Sequence, residues 1–298
     1  MKKNKGFVTL AVGNERYYQL AVNLLRSYKY FAKNKLMPFA IVADRKNKYT
    51  ALFDDVIILQ NPSKSYMDKL QILQMPPYNE NIFIDADCLA YGNLNNYWLY
   101  LSNLGGVRCF GSSHPLSFDN GWFKISDIGH YKDRISYIPK MHGGIIYFRD
   151  DELTKCIIKD ALDIAKNYNK YRFMYFDKPA DEPILALAST VNNCRPIELD
   201  HNLQKQMFCF LPACNDIKYD ISKGYLSYLD NKQRINNVLL LHWQNCNTEK
   251  TIYYKEVLKL SNMPIIIGKF KILNHFIHYH LYRLINKVNS KIDKIFNL

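Results

Sequence analysis

Asn81-Ile82-Phe83-Ile84 runs directly into Asp85-Ala86-Asp87-Cys88-Leu89-Ala90. A short apolar run of this kind reads as a buried strand, and it ends in two carboxylates at i and i+2. Side chains alternate across an extended backbone, so Asp85 and Asp87 point to one side and can reach a single cation. Ligands of open α/β sheets bind at the carboxyl ends of strands, which is where this pair stands. An Asp-x-Asp pair also occurs on solvated turns; the preceding strand is what favours a cation site here. A hard divalent ion takes such oxygen ligands and can neutralise phosphate oxygens.

Similar apolar runs flank this stretch. Residues 7–12 are followed by a polar turn and a helix over 17–31, where Leu20, Leu24, Leu25 and Tyr28 recur at helical spacing. Residues 39–43 end at Asp44, and residues 56–59 end before Asn61-Pro62-Ser63, both as short buried strands. Downstream, residues 105–140 lack clear periodicity and are rich in Gly, Ser, Asp and aromatics, as expected of active-site loops. Residues 144–148 read as a strand and 150–167 as a helix with Leu153, Ile157, Ile158, Leu162 and Ala165 on its apolar face. A second helix is expected over 183–190, and a late strand over 238–241 ends in His242-Trp243. Near-continuous apolar strands alternating with helices predict an α/β chain whose largely parallel sheet is covered on both faces.

Composition narrows the classes. The chain has 298 residues, 48% hydrophobic and 22% charged, which excludes disorder for its bulk. A formal charge of +13 points to an anionic partner, whether nucleic acid, a phosphorylated small molecule or an acidic membrane, with a lysine-rich coding bias as the competing explanation. Seven cysteines without a CxxC pair or metal-finger spacing read as reduced cytoplasmic thiols. The basic start and apolar run superficially resemble a secretory signal, but Gly13-Asn14-Glu15-Arg16 follows with no small-residue cleavage site, so the run is read as the first strand. No stretch approaches the roughly 18 apolar residues that span a bilayer. From Lys269 onward, Leu273, Phe276, Ile277, Leu281, Leu284 and Ile285 recur at spacings of three and four, opposite Lys269, Lys271, Arg283, Lys287, Lys291 and Lys294. This is an amphipathic helix or helix pair, which either lies on an anionic leaflet or packs on the body with its lysines in water.

The motifs occur in a telling order: Phe7-Val8-Thr9-Leu10-Ala11-Val12 with Tyr17, Asp68-Lys69-Leu70, Phe83-Ile84-Asp85-Ala86-Asp87, Gly143-Gly144-Ile145-Ile146-Tyr147, Asp181-Glu182 and Leu241-His242-Trp243. Over residues 6–245 this pattern resembles the family of glycogenin and the bacterial lipopolysaccharide galactosyltransferases. The resemblance implies a GT-A fold over residues 1–262, a mostly parallel mixed sheet flanked by helices, with residues 263–298 as a basic helical appendage. It implies a UDP-sugar donor, a divalent metal (manganese, with magnesium as the alternative) and transfer of a hexose with retention. The acceptor would be a saccharide or lipid-linked glycan of bacterial surface polysaccharide or lipopolysaccharide synthesis. The enzyme would work in the cytoplasm, peripherally on the inner face of the membrane, and without nucleic acid.

Carried over residue by residue, the resemblance makes Asp85, Asp87 and His242 metal ligands, a mixed oxygen and imidazole set that suits manganese. Ala86 lies between the two acids on the donor side. Thr9, Ala11 and Tyr17 would line the nucleotide pocket, with Tyr17 against the uracil, and Lys69 would offset phosphate charge. Asp181 and Glu182 would stand by the reacting sugar as the catalytic acids, bonding its hydroxyls or stabilising an oxocarbenium-like centre. Structural alternatives exist for each: core packing for Tyr17, a half-buried cap for His242, a solvated head for Lys69. Asp181-Glu182-Pro183 also makes a good helix N-terminus.

Two departures concern the acceptor and diphosphate sides. His142-Gly143-Gly144 stands where the family carries Asn-Ser-Gly, and is assigned to the donor side of the site. The family's Gly and Lys-Pro-Trp after the histidine are replaced by Gln244-Asn245-Cys246-Asn247-Thr248-Glu249-Lys250, leaving Lys250 as the substitute diphosphate lysine. Other classes fit less well. A haloacid-dehalogenase-type phosphatase or phosphotransferase carries its Asp-x-Asp near the N-terminus and continues with Thr, whereas Asp85 follows three strands. A nucleotidyltransferase would want a Gly-rich phosphate loop after the first strand. A basic polyanion or nucleic-acid binder would exploit the charge, but no such module is recognisable.

Overall fold

The structure is a computed structural model that describes residues 3–33, 35–175, 177–211, 214–261, 272–281 and 284. Strands β1 (Lys5–Ala11), β2 (Phe39–Ala43) and β4 (Glu80–Ile84) carry short apolar runs, as parallel strands buried on both faces must, and β3 (Asp55–Ile58) is a half-buried edge strand. They pair in parallel in the order β3-β2-β1-β4, with Val8 opposite Ala40 and Phe7 opposite Ile82. The long strand β7 (Ile138–Arg149) then runs antiparallel to β4, and β6 (Val107–His114) antiparallel to β7, completing a six-stranded mixed sheet.

Alternation along the strands splits the core in two. Phe7, Ile41, Ile82, Ile84 and Tyr147 face one cluster, with α1 (Glu15–Ala32) packed on it; Val8, Val42, Phe83, Ile146 and Phe148 face the other. The second face is covered by α2 (Asp68–Gln74), α4 (Glu152–Lys166) and α5 (Asp181–Val191). Helix α1 buries the expected Leu20, Leu24, Leu25 and Tyr28, and its N-cap Asn14 accepts from the Arg16 amide. Short α3 (Trp98–Leu101) closes the first face.

A second, three-stranded sheet has β12 (Leu240–His242) at its centre, antiparallel to β5 (Cys88–Ala90) and parallel to β8 (Cys209–Phe210). Helix α6 (His201–Met207) precedes β8, and β9 (Asn215–Asp220), β10 (Tyr225–Asp230) and β11 (Gln233–Ile235) form a third, antiparallel sheet. After β12 come α7 (Asn245–Thr248) and α8 (Thr251–Lys259), and residues 272–281 are helical. No helix among the described residues is long and apolar enough to cross a membrane.

Three expectations are corrected. Residues 105–140 are not only loops: β6 and the start of β7 lie within them. The signal was hidden because β6 ends in Gly111-Ser112-Ser113-His114 beyond an irregularity in register at Cys109/Gly111. There a Cβ on Gly111 would stand 2.3 Å from the Lys140 carbonyl oxygen, so the strands approach as only glycine permits. The cysteines are not all reduced, since Cys209 and Cys214 are joined, while Cys88, Cys109, Cys156 and Cys194 are free. The two stand five residues apart, a spacing that a search for CxxC does not see. The strand expected over 144–148 is also longer at its N-terminal end, so His142 and Gly143 belong to it. The rest of the helix expected from Lys269, including its lysines, lies outside the described residues.

Ile82 is fully buried in the middle of the sheet, whereas Leu99 is 76% exposed. We expect Ile82→Ala to cost about 2–5 kcal/mol of unfolding free energy, and Leu99→Ala less than about 0.5 kcal/mol, both read from urea denaturation midpoints.

Candidate active site

The chain arrives at the site along β4. Ile84 is paired with Ile145 of β7, so the next residue, Asp85, donates its amide to the Gly144 carbonyl at 3.1 Å. The Asp85 carbonyl in turn accepts from the Cys88 amide at 3.1 Å, closing a turn that feeds Asp87 into β5. In the second sheet Cys88 is opposite His242, and the Trp243 amide donates to the Asp87 carbonyl at 3.1 Å. Pairing of β5 with β12 therefore carries a histidine from far along the chain to the acidic turn. His242 Nε2 lies 3.0 Å from Asp87 Oδ1 and 4.0 Å from Asp85 Oδ2.

The other flank of Asp85 belongs to Lys69. Asp68 accepts the Ser63 and Lys64 amides at 2.7 and 2.8 Å, fixing the start of α2. The buried Lys69 ammonium then lies 2.9 Å from Asp85 Oδ1, 2.8 Å from Asp181 Oδ2 and 3.4 Å from the Gly143 carbonyl. It is therefore no solvated head; it bridges two carboxylates from opposite ends of the site. Asp181 opens α5 without serving as its cap. Glu182 reaches away from its own helix and accepts the Gly143 amide at 2.7 Å. A Cβ on Gly143 would stand 2.8 Å from Glu182 Cγ and 3.0 Å from Asp181 Oδ2, so glycine is required for α5 to approach β7 this closely.

The electrostatics follow from burial and pairing. Burial pulls the Lys69 ammonium down, but Asp181 and Asp85 outweigh it and hold the ammonium well above its ordinary value. Burial raises Asp85 above the usual carboxylate range despite Lys69 and His242. Asp87 goes the other way: the hydrogen bond and charge of His242 overcome its burial and lower it, and Asp87 correspondingly overcomes the burial of His242 and raises the imidazole. Glu182 is pushed up to about 7 by burial and by Asp181. His142 is pushed down to about 3 by burial, His242 and Lys69. The His142 ring is thus neutral, accepting the Gly144 amide at Nδ1 (3.0 Å), and its 3.4 Å approach to Glu182 is not an ion pair.

Several features test the fit to a metal. Ligand atoms sharing one octahedral ion stand about 3–4 Å apart, as do those of His242 relative to Asp87 and Asp85. Among the described residues, ligand atoms of Asp87, Cys88 and His242 all lie within 4.8 Å of one another; Asp85 is drawn out of that tighter group toward Lys69. Burial, then Asp87 and Asp85, raise the Cys88 thiol well above its ordinary value, so without an ion it is the protonated thiol that stands beside Asp87 and His242. His242 Nδ1 is buried with no hydrogen-bond partner among the described residues.

The remaining expected residues are placed as follows. Thr9 and Ala11 are buried, and the Thr9 hydroxyl donates to the Ile84 carbonyl at 2.8 Å, bracing the strand that carries Asp85. Ala86 is buried beside them, while Tyr17 is 39% exposed. Lys250 is exposed at the start of α8, and among the described residues its amine has no hydrogen bond or ion pair to the acids. Three residues escaped the sequence reading. The Phe208 and Phe210 rings stand 4.7 and 5.1 Å from that of His142, and 5.9 and 5.4 Å from that of His242. Asp44, at the carboxyl end of β2, accepts the Gly13 amide at 3.1 Å and the Tyr18 hydroxyl. The strand-end rule that found Asp85 points to Asp44 as well; nothing local marks the two phenylalanines.

Because the folded pKa of Glu182 lies above its ordinary value, its contribution to stability is full below about pH 4.5 and is lost as pH rises through about 7. Glu182→Gln removes that charge and keeps the oxygen that accepts from Gly143. In the presence of chelator, the melting temperature of the variant should rise relative to wild type as pH goes from about 5 to about 8. A gap independent of pH in thermal scans would refute it.

No protein-family model matches the sequence, and no curated protein matches it. Among solved structures, the apo structure of the bifunctional glycosyltransferase WbbM is similar over 92% of this chain and 52% of that one, with TM-score 0.54 and 14% identity. The chain thus spans about half the length of that protein. The galactosyltransferase LgtC in complex with donor and acceptor sugar analogues is similar over 87% of this chain and 97% of that chain, with TM-score 0.48 and 11% identity. The likeness to WbbM shows that this chain has the mixed α/β fold of the GT-A glycosyltransferases.

Proposed function

We propose that the chain is a metal-dependent glycosyltransferase that moves a hexose from a UDP-sugar to a saccharide or lipid-linked acceptor of bacterial surface polysaccharide or lipopolysaccharide synthesis. The observation that carries this reading is the convergence of Asp85, Asp87 and His242 at adjoining strand ends, with Asp181 and Glu182 held opposite them. Residues 1–262 are taken as the catalytic domain and 263–298 as its appendage. A divalent ion held by Asp85, Asp87 and His242, manganese by the chemistry of the set, would neutralise the charge of the departing nucleoside diphosphate. Lys69 fixes Asp85 and Asp181 relative to each other, so the metal side and the sugar side share one cation. Asp181 and Glu182 are the acids that face the reacting sugar, and Glu182, bound to the Gly143 amide, keeps the strand and helix in register. The neutral His142 ring, its Nδ1 occupied, is left with an Nε2–H that donates to a sugar hydroxyl. Retention of configuration rests on the family resemblance.

Peripheral attachment to the inner membrane face is part of the reading. Helical residues 272–281 leave Leu273, Phe276, Ile277 and Leu281 between 46% and 54% exposed, an apolar stripe suited to the interface of an anionic leaflet.

Asp87→Asn should abolish manganese-stimulated hydrolysis of the UDP-sugar donor and the manganese-dependent thermal shift, with an unchanged far-UV circular dichroism spectrum. In the wild-type reaction, NMR of the product anomer should show retained configuration. A variant that still turns over with manganese removes the proposed site; an inverted product removes retention alone. Leu273→Asp/Ile277→Asp should lower co-sedimentation with phosphatidylglycerol vesicles at least tenfold, and undiminished binding would remove the appendage from the membrane.

A further inference from the structure

Away from the acidic site, a cleft of about 1470 Å³ runs between α1, α8 and helical residues 272–281. Its size exceeds the few hundred to about 1,000 Å³ of typical small-molecule sites, which suits an extended ligand. Arg16, Arg26, Lys29 and Lys48 line it; Arg16 is paired with Glu249, which also lines the cleft, and Lys48 with Glu15 at 3.7 Å. Among the described residues, Arg26 and Lys29 have no hydrogen bond or ion pair, and both are exposed on the α1 side of the cleft. Tyr30, Tyr254 and Tyr279 supply rings and hydroxyls along the same walls. One end reaches Asn14 at the start of α1 and Thr248 in α7, the segment that follows His242 and Trp243.

We propose that this cleft binds an anionic glycan, the distal part of an acceptor chain whose sugars carry phosphate or carboxylate groups. The inference rests on the glycosyltransferase reading for the word acceptor, and on the cleft alone for the ligand's chemistry. Unpaired cations over a concave surface attract and charge-pair an anionic chain, while tyrosines offer flat apolar faces with a polar tip to sugar rings. A lipid leaflet is the less suited occupant. The same helix turns Leu273, Phe276 and Ile277 to solvent but His275, His278 and Tyr279 into the cleft, so the face that suits a membrane is not the face that lines the cleft.

The test uses the full chain, its Arg26→Glu/Lys29→Glu variant and the milder Arg26→Gln/Lys29→Gln variant, with melting temperature as the fold control. Calorimetric titration with a phosphorylated hexasaccharide, the matching neutral hexasaccharide and phosphatidylglycerol vesicles is run at low and high salt. The expected result is binding of the phosphorylated chain at least tenfold tighter than the neutral one. That binding weakens with salt, falls at least tenfold in the charge-reversed variant and falls less in the neutral one, while acceptor-free donor hydrolysis is unchanged. Equal affinity for the two hexasaccharides, or unaltered affinity in the variants, overturns the proposal. So does loss of vesicle binding alone, which would make the cleft a lipid site. Absence of donor hydrolysis with the phosphorylated chain still bound through Arg26 and Lys29 would sink the catalytic reading and leave the cleft standing.

Discussion

The site depends on one buried ammonium. Lys69 touches Asp85 at the end of β4, Asp181 at the start of α5 and the Gly143 carbonyl in β7, so a single cation ties three elements that the backbone brings together from distant parts of the chain. Removing one partner of such a buried ionic cluster typically costs about 3–5 kcal/mol, because the opposing charges are left uncompensated. Here the loss would also free two carboxylates to repel one another across the gap where the sugar is proposed to sit. Lys69 thus orders the carboxylates before any ligand arrives, which is the structural meaning of preorganisation.

Backbone pairing does the rest. The antiparallel β7 lies beside β4 and presents Gly143 and Gly144 to the acidic turn, and the absence of side chains there lets Glu182 and Phe208 close in. The small sheet of β5, β12 and β8 is the device that imports His242, since its register places that residue opposite Cys88 and beside Phe210. Position on the sheet, rather than local propensity, decides which side chains meet.

This explains what could and could not be read from the sequence. The first four strands and α1 were legible because double burial demands unbroken apolar runs and a helix on a sheet demands spacing of three and four. Asp85 and Asp87 were legible from their place after such a run. Strand β6 was not, because its polar second half is paired at a bulge, and β9 to β11 were not, because one face of Asn215–Asp220 is solvated and its apolar alternation is weak. Lys69 was legible as a donor-side cation from the resemblance, but not its two carboxylate neighbours, Asp85 and Asp181, which come from distant segments. Phe208 and Phe210 were invisible, since they reach the site only through a sheet that unites segments more than a hundred residues apart, and the Cys209–Cys214 link carries no CxxC spacing to announce it.

The charge distribution bears on how a donor would enter. The chain as a whole is strongly basic, yet the site gathers Asp85, Asp87, Asp181 and Glu182 around Lys69 and His242. A divalent ion would be held by His242 as a neutral imidazole, which would leave the acids facing one fewer cationic side chain. A nucleoside diphosphate, itself anionic, is repelled by such a cluster at the short distances and low effective dielectric of a buried site. On the proposed reading the diphosphate and a divalent cation would be interdependent ligands, each lowering the electrostatic cost of the other. On the proposed reading, the basic exterior draws anionic molecules to the protein, while the acidic site admits only those that arrive paired with a metal.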